Sequence, residues 1–219
     1  MKPIIKQTAG MQVIIMCKAP VAGQVKTRLI SRRYSPEQAA VVHAAMATTV
    51  VHRATRLFVD VVVATDDVAH PFFAGFGVPV RAQGEGDLGV RMAVQVDYAF
   101  TSGAGSVLLL GTDSPHMKDE RLLQAADALR NHDVVLGPVE DGGYDLAGVC
   151  RPLSIFTNVY WSSGLVLTQT LANIKRLDLS VIQLETGFDV DFPDDIERAR
   201  QCGWQPESAL DVTHPDSHN

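Results

Sequence analysis

The strongest chemical signal in the sequence is an aspartate that directly follows an apolar run. Residues 106–110 are followed directly by Gly111-Thr112-Asp113, and Pro115 stops the segment. An apolar run bounded by turn residues predicts a strand buried on both faces, and open α/β sheets bind ligands outside the carboxyl ends of such strands. Asp113 would therefore bind a divalent cation and the phosphates it carries, or it would simply cap the following helix.

Two aspartates late in the chain could complete a cation site with Asp113. Asp189 and Asp191 alternate along an extended segment, so both carboxylates are expected to point to the same side. A Mg²⁺ or Mn²⁺ ion needs only one or two protein carboxylates when a substrate supplies phosphate oxygens. The predicted metal ligands are Asp113 and Asp191, with Asp189 as an additional candidate.

Three cations follow the first predicted strand in a turn that contains Gly23. Lys18, Lys26 and Arg28 suit phosphate recognition, because lysine is a point charge and arginine is a bidentate donor. The spacing matches neither a Walker A loop nor the GxGxxG pattern. Ordinary solvated cations are the alternative, but the position of the loop at the ligand-binding edge of the sheet favours phosphate.

A glycine-rich loop precedes the second predicted helix. Residues 83–92 contain three glycines, which allow close approach of a planar or phosphorylated ligand. Glu85 and Asp87, on either side of Gly86, could accept hydrogen bonds from a sugar or a base. A plain strand-to-helix connection explains the loop equally well when it is considered alone.

The last candidate loop covers residues 137–145. Its Gly142-Gly143 pair predicts a turn, and Glu140 and Asp141 could be no more than turn residues.

Composition favours one domain that handles small molecules. The 219 residues are 46% hydrophobic, and no apolar run approaches the roughly 20 residues that span a bilayer. A net charge of -6 argues against binding to nucleic acid or an anionic membrane. We predict a single domain over residues 1–204 and a polar tail over 205–219, in a cytoplasmic protein whose three distant cysteines stay reduced.

Apolar patterning alternates between strand-like and helix-like segments, which is typical of a layered, mainly parallel α/β sheet. The predicted strands are 13–17, 58–64, 78–82, 107–110, 134–137, 144–149 and 181–184. The predicted helices are 35–57, 88–100, 119–130, 165–177 and 194–201. Ser35 can cap the first helix, and Gln38 can close a capping box. His43 and His52 on this helix have no metal-binding partner at helical spacing, which favours a packing role.

Taken in order, these loops resemble one family. The chain is similar to the uncharacterised glycosyltransferase-like proteins described as radical-SAM and selenodomain-associated transferases, within the nucleotide-diphospho-sugar transferase superfamily of GT-A fold. The resemblance covers roughly residues 11–201 and rests on Lys18-Ala19-Pro20 through Leu29, Gln83 through Gly89 with Arg91-Met92, Leu110 through Pro115, Gly137-Pro138 with Asp141 through Tyr144, and Asp189-Val190-Asp191 with Pro193 and Asp195. The chain departs from the family pattern at Ala22, at the pair Ser163-Gly164 and at Phe192.

The resemblance implies a Rossmann-like GT-A fold, a three-layer α/β/α sandwich with a mainly parallel mixed sheet. It implies a metal-dependent transferase that uses a nucleotide-diphospho-sugar donor and an unknown acceptor. The implied nucleotide-binding residues are Lys18, Gly23, Lys26, Arg28, Glu85, Gly86, Asp87 and Arg91. The implied metal ligands are Asp113, Asp191 and Asp189. The implied catalytic residues are Asp113, Asp141 and Tyr144, of which Asp141 and Tyr144 would face the acceptor or act as a base. A nucleotidyltransferase that joins a nucleoside triphosphate to a phosphorylated small molecule, and a non-catalytic nucleotide-binding module, are the alternatives.

Overall fold

Strands and helices alternate along residues 10–206, the part of the chain that the computed structural model describes. The strands are β1 (Met11–Met16), β2 (Asp60–Thr65), β3 (Val80–Ala82), β4 (Ser106–Leu110), β5 (Val134–Pro138), β6 (Tyr144–Val149) and β7 (Val181–Gln183). The helices are α1 (Pro36–Leu57), α2 (Leu88–Thr101), α3 (Asp119–Ala128), α4 (Val166–Arg176) and α5 (Pro193–Gln201). Short 3-10 turns lie at Thr27–Leu29, Pro71–Phe76 and Ser154–Phe156.

All of these strands and helices were predicted, and their ends differ from the predicted ones by at most two residues. The β3 strand illustrates the reason for such a difference. It was predicted to begin at Val78 but begins after Pro79, because proline has no N–H to donate to a sheet.

The strands form one sheet in the order β3-β2-β1-β4-β6-β5-β7. Only β6 among them runs antiparallel to its neighbours, since β1 pairs in parallel with β2 and β4, β2 with β3, and β5 with β7. The carboxyl ends of the six parallel strands and the start of β6 therefore lie at the same edge. This edge collects the loops that the sequence singled out.

Alternation along the strands covers both faces of the sheet. In β1, Val13 and Ile15 pack with residues of α1 and α3, whereas Ile14 packs with residues of α2 and α4. The structure is therefore the predicted three-layer α/β/α sandwich. The capping box of α1 is confirmed as well: the Gln38 backbone N–H donates to the Ser35 hydroxyl at 3.2 Å, and the Gln38 side chain accepts from the Ser35 N–H at 2.8 Å.

A third apolar cluster fixes the end of the described chain against α1. Phe188 and Val190 pack with Val42 and Met46 of α1 and with residues of α5. Trp204, 2% exposed, donates its indole N–H to Thr49 at 3.0 Å.

Residues 207–219 of the predicted polar tail lie outside the described residues. Within 10–206, no helix is long and apolar enough to cross a membrane.

Candidate functional site

The loops at the carboxyl edge of the sheet surround a cavity of about 590 Å³. Its lining comes from the first loop, from the ends of β1 and β4, from the β5–β6 hairpin, from residues 161–164 and from the late acidic segment. The predicted site residues among this lining are Lys18, Lys26, Arg28, Asp113, Asp141, Tyr144, Asp189 and Asp191.

Two of the predicted metal ligands share one lysine. The Nζ of Lys26 lies 2.8 Å from Asp113 Oδ1 and 3.0 Å from Asp191 Oδ1. Arg28 Nη1 approaches the other oxygen of Asp191 at 2.6 Å. The structure thus brings together two acids and two cations from three distant parts of the sequence, and lysine rather than solvent links the acids.

The backbone of Lys26 adopts an uncommon conformation where its side chain contacts the acids. Its φ of 45° and ψ of 42° are left-handed, which costs a residue other than glycine about 1–2 kcal/mol. The side chain is only 5% exposed. Although burial by itself lowers the pKa of Lys26, Asp113 and Asp191 raise it above its usual value, so Lys26 is charged.

Asp113 is also held in its charged form. Burial by itself raises the pKa of Asp113, but Lys26 outweighs burial and lowers it below the usual value. The alternative role of Asp113 as a helix cap is wrong. Helix α3 begins only at Asp119, with Lys118 at its cap position, so the intervening turn separates Asp113 from the helix.

The late acidic segment is tied to the end of β4. The Val190 N–H donates to the Asp113 carbonyl at 2.8 Å. The Ser114 hydroxyl lies 2.9 Å from the Phe188 carbonyl and 2.8 Å from Asp189 Oδ1. These contacts place Asp189 and Asp191 beside Asp113.

Two further groups hold this acidic segment from outside. Phe188 stacks on His116, with 3.8 Å between ring centroids, and the Arg198 guanidinium lies 3.7 Å from the Phe188 ring centroid. Asp195 accepts the backbone N–H groups of Asp191 at 3.1 Å and of Phe192 at 2.7 Å. Helix α5 begins there, and Asp194 lies in its first turn as predicted.

Asp189 differs chemically from its two neighbours. Burial, followed by repulsion from Asp113, raises the pKa of Asp189 to about 7. Asp189 and Asp191 both line the cavity, as their alternation predicted. A carboxyl group with this pKa exists in both protonation states near neutral pH.

The first loop is anchored by groups that the sequence did not single out for binding. Asp66, after β2, accepts the Ala19 N–H at 2.8 Å. His43, 5% exposed, lies with Nε2 3.0 Å from the Lys18 carbonyl oxygen. Burial lowers the pKa of His43 and keeps its imidazole neutral, in agreement with the packing role predicted for it. Lys18 is exposed at the cavity, and Gly23 lies outside the cavity lining of the described chain.

The glycine-rich loop lies beside the cavity. Its buried Gln83 donates to the Ala64 carbonyl at 2.9 Å and accepts from Arg91 at 2.8 Å. Asp87 caps α2 by accepting the Val90 N–H at 2.9 Å. Leu88 and Met92 line the cavity, whereas Glu85, Gly86, Asp87 and Arg91 do not, as far as residues 10–206 are concerned.

The hairpin between β5 and β6 brings Asp141 and Tyr144 to the cavity. Asp141 Oδ1 accepts the Gly143 N–H at 2.8 Å, so Asp141 is a turn residue as well as a lining residue. Burial raises the pKa of Tyr144 above its usual range, and its hydroxyl lies 3.5 Å from Thr170 Oγ1. Tyr144 is therefore a neutral phenol that can donate a hydrogen bond and is poorly suited to act as a base.

Gly142→Ala is expected to destabilise this hairpin by roughly 1–3 kcal/mol. Gly142 has a φ of +87°, and a Cβ there would collide with the backbone of Gly164. Gly75→Ala is the matched control, because Gly75 has no positive φ and no heavy atom within 4 Å of the added Cβ. Urea unfolding of both variants checks the prediction, which fails if the two changes have equal effects.

A buried ion pair behind the cavity was missed by the sequence analysis. Asp145, whose side chain is 4% exposed, pairs with Arg121 Nη2 at 3.0 Å. Arg121 also donates to the carbonyls of Pro138 and Glu185, which joins α3 to the hairpin and to the segment before Phe188. The only available signal was an acid at the start of a strand, beside Tyr144, and it carried no information about a partner on α3.

The mostly parallel sheet between layers of helices is the fold of the class of nucleotide-diphospho-sugar transferases and nucleotidyltransferases. The chain belongs to the family of uncharacterized proteins conserved in bacteria called DUF2064, whose model matches residues 46–163. A candidate nucleotide-diphospho-sugar transferase from Desulfovibrio desulfuricans G20 has a TM-score of 0.78 and 30% identity, with 84% of each chain covered. The predicted superfamily is thereby supported.

Two more distant structures share the fold alone. CMP:2-keto-3-deoxy-manno-octonic acid synthetase complexed with CTP has a TM-score of 0.59 and 12% identity, over 88% of this chain and 98% of the synthetase. Rv0371c from Mycobacterium tuberculosis H37Rv, complexed with manganese, has a TM-score of 0.50 and 15% identity, over 88% of this chain and 99% of Rv0371c. No curated protein matches the chain.

Proposed function

We propose that the protein is a transferase that binds a nucleotide-diphospho-sugar together with Mg²⁺ or Mn²⁺. The observation that carries the proposal is the pairing of Asp113 and Asp191 around one cationic nitrogen, at 2.8 and 3.0 Å, in the lining of the cavity. Two carboxylates that already share a cation at a sheet edge suit a divalent ion. The 30% identical candidate nucleotide-diphospho-sugar transferase supports the class of substrate.

The donor set suits a metal that arrives with phosphate. Among residues 10–206, no three Asp, Glu, His or Cys side chains form a ready-made metal site. Asp113 and Asp191 would hold the ion, Asp189 would assist, and phosphate oxygens would complete the coordination, as is usual for Mg²⁺. A bound divalent ion would stabilise the negative charge that develops on the leaving diphosphate. Rv0371c, which is similar to this chain in fold and was solved in complex with manganese, supports the proposal of a divalent metal.

The other side chains have roles that follow from their positions. Exposed Lys18 and Arg28 would neutralise phosphate, and Lys26 would join them once free of the acids. Glu85, Gly86, Asp87 and Arg91, which lie close in sequence to the lining residue Leu88, would contact nucleotide or sugar. Gly23 of the first loop would also contact the nucleotide. Tyr144 would donate a hydrogen bond to the acceptor, while exposed Asp141 would accept one. The narrower likeness to radical-SAM and selenodomain-associated transferases rests on the sequence motifs.

A nucleotidyltransferase is the second candidate function. It is favoured by the shared fold with a synthetase that binds CTP and by the three cations of the first loop. Product analysis distinguishes the two reactions, because sugar transfer releases a nucleoside diphosphate and nucleotidyl transfer releases pyrophosphate. Detection of pyrophosphate from a nucleoside triphosphate and a phosphorylated small molecule would replace the first proposal by the second.

Nucleoside diphosphates or their sugars are expected to raise the melting temperature, and to raise it more with Mn²⁺. A ligand at 100 times its Kd stabilises the folded state by about 2.7 kcal/mol, which is about 5–10 °C for a domain of this size. Thermal-shift screening across bases and sugars, with MnCl₂ or EDTA, measures this effect. Stabilisation by nucleotides that is equal in MnCl₂ and EDTA would contradict metal-dependent binding.

A further inference from the structure

Lys26 is a cation that the fold places where the proposed metal would bind. Its ammonium contacts both Asp113 and Asp191, and its side chain is 5% exposed whereas that of Asp113 is 46% exposed. The left-handed backbone of Lys26 is a local cost that this contact offsets. A divalent ion that binds both acids through the oxygens that Lys26 contacts must therefore displace the lysine first.

The charges of the cluster make that displacement depend on phosphate. Lys26 and Arg28 together neutralise Asp113 and Asp191. A divalent ion alone would add two positive charges to a neutral cluster and leave both cations without an acid. A nucleoside diphosphate alone would bring negative charge toward two carboxylates. When both bind, the phosphates can pair with the released cations while the metal pairs with the acids.

The exchange depends on the lysine side chain, whose ammonium sits on a flexible four-carbon stem with rotatable donors. Arg28 is 58% exposed, so one of its donors can turn to phosphate while Asp191 remains close. The loop therefore places a flexible cationic side chain next to both acids.

We propose that Lys26 makes metal binding and nucleotide binding mutually dependent, by holding the acids until a diphosphate group replaces them as its partner. The inference rests on the proposed function, since it assumes that Asp113 and Asp191 bind the metal. It predicts that the wild-type protein binds Mn²⁺ weakly without a diphosphate. By linkage, the diphosphate and the metal must tighten each other's binding by the same factor.

The decisive variant is Lys26→Met, which keeps a long apolar stem and removes the charge. Its control is Lys175→Met, an exposed lysine of α4 outside the cavity lining. Equilibrium dialysis of MnCl₂ measures the metal retained by the protein, first alone and then with inorganic pyrophosphate, a diphosphate without a base, at equal concentration on both sides of the membrane. We expect Lys26→Met to bind Mn²⁺ alone on the order of tenfold more tightly than wild type, within the usual range of coupling between sites. Lys175→Met should match wild type.

The outcomes separate the inference from the proposed function. If wild type binds Mn²⁺ only with pyrophosphate and folded Lys26→Met behaves identically, the metal site stands and the role of Lys26 is overturned. If wild type binds Mn²⁺ equally well with and without pyrophosphate, the inference is overturned whatever the variant does. If Mn²⁺ binds under neither condition, the proposed metal site falls as well. Lys26→Gln repeats the measurement if the methionine variant does not fold.

Discussion

Asp113→Asn should abolish the dependence of nucleotide binding on Mn²⁺. The amide keeps the shape of the side chain but loses the charge that attracts a divalent ion and pairs with Lys26 at 2.8 Å. Even the outer partners of metal sites contribute 10–100-fold to affinity, so we expect a loss on the order of 100-fold in the presence of Mn²⁺. Calorimetric titration of a nucleoside diphosphate with MnCl₂ and with EDTA measures the loss.

Asp97→Asn is the matched control for this change. Asp97 is an exposed aspartate on α2 and lies outside the cavity lining, so its variant should keep wild-type binding. If Asp113→Asn also keeps Mn²⁺-dependent affinity, the assignment of Asp113 as a metal ligand is wrong. A similar loss in both variants would instead indicate a general effect of net charge.

Arg121→Met should be the most destabilising single change at this edge of the sheet. Loss of the arginine would leave Asp145, 4% exposed, without its partner at 3.0 Å, and would free the carbonyls of Pro138 and Glu185. Breaking a buried pair in this way typically costs about 3–5 kcal/mol. Urea unfolding at pH 8 measures the change. Arg130→Met, an exposed cation next to α3 whose side chain is 58% exposed, should cost less than about 0.5 kcal/mol.

The penalty of Arg121→Met should also depend on pH. Burial raises the pKa of Asp145 to about 6 even though Arg121 opposes the rise. The pKa of an aspartate in the unfolded chain is about 3.9. The folded state therefore binds this proton more tightly, and removal of Arg121 raises the pKa of Asp145 further. The stability difference between wild type and variant should shrink from pH 8 to pH 5. A difference that is constant over this range would show that Asp145 does not titrate as argued.

Local patterning was sufficient to predict the elements of the fold. The apolar run 106–110, the capping residues Ser35 and Gln38, and Pro193 at the start of the last helix each act within a few residues. Because parallel strands end at one edge of a sheet, the same patterning also predicted that Asp113 and Asp191 would approach the first loop. The contacts of Lys26 with both acids agree with that expectation.

The partner with which each side chain interacts could not be inferred from local patterning. Asp87 appeared as a candidate contact for sugar or base, yet it accepts an N–H of its own helix. Asp113 had a helix cap as its alternative role, but the helix begins further along. An aspartate side chain can form hydrogen bonds of similar strength with several nearby backbone groups, and the packing of the fold decides which of them it forms.

What the sequence by itself determined is the set of elements and the edge at which the charged loops meet. Periodicity, turn residues and caps are local signals that define the strands and helices. Because parallel strands end at one edge of the sheet, these elements also determine where the loops lie. The tertiary structure alone decided that Lys26 would be buried between Asp113 and Asp191, that Arg121 would pair with Asp145, and that Ser114 would hold Asp189. These pairs join residues far apart in the chain, and their strengths depend on burial and distance, which exist only once the layers have packed.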